Sequence, residues 1–161
     1  ELGKPGTPYA VRSAPTVQRW RLLRDLPAGF GDGVPPEATF RELLPEVGAA
    51  NWQPVYSRVD GTLPLSELTS GSDRPVYLLA EVDVRTAGGV GLRFDSVEGL
   101  DLWVNGDHID SLSRNFATEF PEGRQAFVIR VDPAKRPQET LRVELFRPEG
   151  SAAVAEPVGG L

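Results

Sequence analysis

The chain has 161 residues, among them 17 Gly, 15 Pro, one His, no Cys and no Met, with a formal net charge of −6. That length suits a single core, and turn-forming Gly and Pro exceed the usual ~12% of a soluble domain. The absence of cysteine excludes a disulfide framework, iron–sulfur ligation, a thiol nucleophile and CxxCH haem attachment within the chain; one histidine cannot build a three-His or HExxH centre; and the acidic balance argues against a nucleic-acid binder that tracks phosphates.

No run approaches the ~18 apolar residues of a membrane span, so none is expected. The chain opens on Glu1 with no basic-then-apolar leader, and it reads as a processed or excised piece. Residues 1–16 lack periodicity and read as a linker or arm, residues 17–147 as the domain, and residues 148–161 as a C-terminal tail.

In chain order, Val17 to Leu23 is compatible with a strand, and Gly29 to Pro36 with a loop. Glu37 to Val47 is the one candidate helix, short and bounded by prolines, and Asn51 to Val59 looks extended up to an Asp60-Gly61 turn. The clearest strand signal is Val76 to Val84, where Val76, Leu78, Ala80, Val82 and Val84 share one face and Glu81 and Asp83 the other. A turn over Arg85 to Gly89 leads to Val90, Leu92 and Phe94 in the same alternation, predicting an antiparallel hairpin with one wet face. Leu100 to Val104 and Asp107 to Ile109 flank Asn105-Gly106, the preferred centre of a type I′ turn, because both central residues need φ > 0. Gln125 to Val131 and Thr140 to Phe146 alternate as well, separated by a loop containing Pro133 and Pro137. Short strands spaced by turns predict an all-β fold, an antiparallel β-sandwich of jelly-roll type with at most one or two short helices.

The chemical motifs are sparse. Gly29-Phe30-Gly31-Asp32-Gly33 imitates a phosphate loop, but Val34-Pro35-Pro36 follows it where a helix N-terminus would have to begin. No GxSxG elbow or SxxK pair occurs, and His108 sits just past a hairpin turn, where solvation is the ordinary state. No catalytic residue is therefore assigned, and the chain is not expected to be an enzyme. Asp95, Glu98, Asp101, Asp107 and Asp110 crowd one stretch. They read as solvated loop charges, as oxygen ligands of a structural calcium at Asp95 and Glu98, or as a pair of hydrolytic acids if two of them faced across a cleft. No other cofactor is expected. Asp101 and Trp103 lie opposite the aliphatic face of their strand. One reading stacks Trp103 on a sugar ring while Asp101 takes its hydroxyls, with Asn105, Asp107 and His108 as neighbouring loop groups. The other buries Trp103 under the N-terminal segment.

The run Val76 to Val82, then Leu92 to Phe94, Ser96-Val97-Glu98-Gly99 and Leu102-Trp103-Val104-Asn105-Gly106, resembles the hairpin of galactose-binding-like and protective-antigen-type β-sandwich modules. Glu122 to Val131 is similar to their closing strand. Trp20 to Leu23 with Gly29-Phe30, and Trp52 to Val55 with Asp60 to Leu65, are similar to their opening, so the likeness covers residues 17–147. The resemblance implies an accessory module of large secreted bacterial proteins of the planctomycete-like, multidomain kind, located outside the cytoplasm. Such a module binds carbohydrate or docks on neighbouring domains or subunits of its parent. The adjacent Asp-Asp pair that holds calcium in the glycan-binding subtype is missing here. Two alternatives stay open: an interaction module of a c-type cytochrome assembly whose haem lies elsewhere, and a small carboxylate hydrolase.

Overall fold

The computed structural model describes residues 15–23, 53–69 and 74–158. The Gly29 to Pro36 loop, the candidate helix Glu37 to Val47 and Trp52 lie outside the described residues.

The fold is an antiparallel all-β sandwich. Its larger sheet takes the order β2 (Gln53–Tyr56), β1 (Arg19–Leu23), β4 (Val76–Thr86), β9 (Gly123–Val131), β6 (Leu100–Val104) and β7 (Asp107–His108). β12 (Val154–Pro157) joins the same edge of β4 beyond β1. The opposing sheet is β11 (Val143–Phe146), β5 (Gly88–Phe94) and β8 (Asn115–Phe120), and a small ladder pairs β3 (Leu63–Pro64) with β10 (Thr140–Leu141). The described helix is a single turn, α1 (Leu65–Thr69), which buries Leu65 and Leu68.

Alternation sends one face of each strand into a shared core. Leu22, Leu78, Val82, Leu102, Phe127 and Ile129 come from the large sheet, and Leu92, Phe94, Val143 and Leu145 from the small one; all are nearly or fully buried. Fully burying each such side chain contributes about 1.5–3 kcal/mol. Trp20 meets Phe127 edge-on at 5.8 Å, and its indole Nε1 donates to Ser57 Oγ at 3.2 Å. The chain crosses between the walls just before β1. Val17 N–H donates to the Val143 carbonyl and Leu145 N–H to the Pro15 carbonyl, each at 2.8 Å. Residues 15–17 therefore lie along β11, and the chain then enters the large sheet as β1.

Two expectations need correction. β4 and β5 do not form a hairpin: they belong to opposite sheets, and the chain arches across the core at Ala87-Gly88. Gly88 has φ +150°, and a Cβ there would lie 3.2 Å from Ala153. The alternation of both strands is as expected, but their inward faces look at each other across the core instead of sharing one sheet. The segment taken as a tail also contributes structure, because β12 docks on β4 from Thr86 to Val82, with a register shift between Val154 and Ala155. The Asn105-Gly106 turn forms as expected, with φ of 50° and 90° and Trp103 opposite His108. Among the described residues no helix is long and apolar enough to cross a membrane.

Candidate functional site

The core-averse face of the large sheet gathers the sequence-derived candidates. Register places Asp101 and Tyr77 on either side of Arg130, and His108 across from Trp103. Arg130 Nη1 donates to Asp101 Oδ2 at 3.3 Å. The other Asp101 oxygen lies 3.5 Å from His108 Nε2, and Asp110 Oδ1 lies 3.4 Å from His108 Nδ1, so a protonated imidazole would be clasped between two carboxylates. Trp103 packs between Tyr77 and His108, with ring centroids at 5.9 and 5.0 Å. Burial pushes the Tyr77 phenol up to about 12, with Arg130 opposing the shift.

The structure thus brings Asp101, Trp103 and His108 together, but not as a sugar platform. Trp103 is 0% exposed, so no ring face is open for stacking; of the two sequence readings the stacking one is corrected, and the ring is buried as in the other. Asn105 turns toward β9: its Oδ1 accepts from Ala126 N–H at 3.1 Å and its Nδ2 donates to Gln125 Oε1 at 2.9 Å. It ties the hairpin to its neighbour. Asp107 is exposed beyond the turn. Tyr77 and Arg130 escaped the sequence reading because each sits amid aliphatic residues; the signal that could have found them is their parity, opposite that of the core residues on their own strands, Val76 and Leu78 on β4 and Ile129 and Val131 on β9.

The second candidate, Asp95 and Glu98, sits on the loop between β5 and β6. Arg136 lies at its centre with its side chain 0% exposed. Nη1 donates to the carbonyls of Ser96 and Glu98, each at 2.9 Å, and Nη2 to Asp95 Oδ1 at 2.9 Å and the Thr140 carbonyl at 2.8 Å. Gly99, at φ +72°, lets the loop close over it, since a Cβ there would lie 2.8 Å from Arg136 Cβ. A carboxylate plus backbone carbonyls is the donor set from which a calcium site is built. Here a guanidinium takes those oxygens, so a calcium at Asp95 and Glu98 would first have to displace a buried arginine. Glu98 Oε1 is also engaged, accepting from Gln138 Nε2 at 2.9 Å. Burial lowers the Arg136 pKa below its ordinary value while Asp95 acts against that shift. Among the described residues no group of three or more His, Asp or Glu is placed to hold a metal ion.

The outer face of the small sheet carries the remaining polar features. Gly91 has no room for a side chain because the Phe146 ring lies on it, and Arg93 caps that ring at 4.6 Å from its centroid. Arg93 also donates to Asn115 Oδ1 at 3.0 Å and Glu144 Oε1 at 2.9 Å, and Arg142 donates to Glu144 Oε2 at 2.8 Å. Burial alone would raise the Glu144 carboxyl, but hydrogen bonds from Arg93 and Arg142 outweigh it and hold the group below its ordinary range. At the far end of β5 a hollow of about 500 Å³ opens, lined by Gly88, Gly89, Glu119, Glu149 and Ser151 among others.

Comparison with known proteins gives no match to any protein-family model and none to a curated protein.

Proposed function

We propose that this chain is a non-catalytic accessory module of a larger extracytoplasmic protein, working by docking on neighbouring domains or subunits. The observation that supports this reading best is the fate of the candidate chemical groups. Asp95, Asp101 and Glu144 are each bound to an arginine, and Trp103 is buried. Groups held in this way brace a scaffold; they are not poised to act on a substrate. The jelly-roll, galactose-binding-like topology belongs to the same proposal, supported by two antiparallel sheets closing on one core.

A saccharide is the second reading. The hollow beside Gly89 favours it, because Glu119 and Glu149 offer acceptors suited to sugar hydroxyls. Calorimetric titration separates the two. Docking predicts no heat with neutral or acidic polysaccharides and saturable binding to the remaining parent domains supplied in trans. Saturable saccharide binding that Glu119→Ala abolishes would overturn the docking version.

A further inference from the structure

An unpaired sheet edge is a template for another strand, and proteins ordinarily blunt such edges. Most edges here are blunted. Residues 15–17 cover β11, β7 has two residues, β12 is irregular and ends on Pro157, and β2 is short and contains Pro54. β8 lacks these devices. It has six residues, Asn-Phe-Ala-Thr-Glu-Phe, with no proline and one charge, and among the described residues nothing pairs with its outer side.

The ladder shows which groups face outward. Phe94 N–H donates to the Arg114 carbonyl at 2.9 Å, one step before β8, and Arg93 lies opposite Asn115. Antiparallel bonding alternates along a strand. The even-numbered residues of β8 therefore bond to β5, and Asn115, Ala117 and Glu119 direct their N–H and C=O groups to the open side. The next outward-facing position is Pro121, which has no N–H and ends the row.

We propose that two copies of this chain pair antiparallel through β8 about a two-fold axis at Ala117, fusing the two small sheets into one of six strands. The pairing does not rest on the docking function above, so either can fail alone; Ala117, Thr118 and Glu119 also line the hollow of the saccharide reading. In that register Ala117 meets Ala117 of the second copy, Asn115 meets Glu119, and Phe116 meets Thr118. Every opposed pair then lies on the same face, as strand pairing requires. Asn115 Oδ1 already accepts from Arg93, leaving its Nδ2 to donate to the facing Glu119 carboxylate. The two Glu119 side chains stand four residues apart along the ladder, roughly 13 Å, beyond the ~8 Å over which charges interact in physiological salt. Phe116 and Thr118, partly exposed in the single chain, would be covered.

Sedimentation equilibrium of the chain, up to about 1 mM, tests this. The expected result is a concentration-dependent doubling of mass. Ala117→Lys sets two like charges face to face on an exposed position and is expected to weaken the dimer at least ~10-fold, with the melting temperature unchanged at dilutions where both proteins are monomeric. Ala117→Pro removes an N–H that the single chain does not use and should do the same; if it fails to fold, the lysine variant decides. The chain has no cysteine, so Ala117→Cys is expected to cross-link to itself under mild oxidation, the facing Cα atoms standing ~5.5 Å apart. Thr118→Cys, opposite Phe116, is expected not to. A monomer at every concentration, a dimer indifferent to Ala117→Lys, or equal cross-linking at position 118 would overturn the proposal.

Discussion

Replacing Arg136 by Met probes the most tightly determined part of the molecule. The guanidinium is fully enclosed and satisfies the Asp95 carboxylate together with the carbonyls of Ser96, Glu98 and Thr140. Met matches the aliphatic stem but takes the guanidinium donor from the three carbonyls and leaves the Asp95 carboxylate with Ser96 N–H and Thr140 Oγ1 in place of its counter-charge. Removing one member of a buried ion pair costs about 3–5 kcal/mol. Asp95 keeps 25% of its side chain in contact with water, so part of its charge is solvated and the lower end applies, about 3 kcal/mol. For a chain of this size that corresponds to a fall in Tm of roughly 6–12 °C. Arg136→Lys should recover only part of the loss, because an ammonium cannot fork to acceptors on both sides of the loop. Urea denaturation and thermal melts measure both. Added calcium or a chelator should leave the wild-type melt where it is, since the guanidinium fills the place an ion would take. A loss under ~1 kcal/mol for the Met variant, or a wild-type Tm that rises with calcium, would refute the reasoning.

Other perturbations have defined signs. Trp103→Ala is expected to cost about 3–5 kcal/mol in urea denaturation, because the ring is packed between Tyr77 and His108; a loss below ~1 kcal/mol would mean the ring is not enclosed. Glu144 has a depressed folded pKa, so its stabilisation is complete above its ordinary value of 4.5 and fades as pH falls through the lower folded value. Comparing the acid limb of stability for the wild type and Glu144→Gln should show the variant flatter below pH 4.5. Gly106→Val places a β-branched residue at φ 90° and should destabilise by about 1–2 kcal/mol, measured by chemical denaturation with Val104→Ile as the packing control.

The sequence alone settled the alternating faces. Leu78, Leu92, Leu102, Ile129 and Val143 could be assigned inward because strand side chains repeat every second residue, a property of the backbone that needs no knowledge of distant partners. The Asn105-Gly106 turn was legible for a similar reason, since its positive φ values are a local demand that few residues meet. Which strand lies beside which was not local. β4 and β5 have the signature of a hairpin, yet they stand on opposite walls, because β1 and β12 take one edge of β4 and β9 takes the other. Parity placed Trp103 outward correctly but left stacking and burial both open, because the burial it adopts depends on contacts that parity cannot report. Arg136 lies 41 residues from Asp95 and resembles any loop arginine in the sequence. Only the packing of two loops removed it from water, and that enclosure turned a plausible calcium cradle into an internal ion pair.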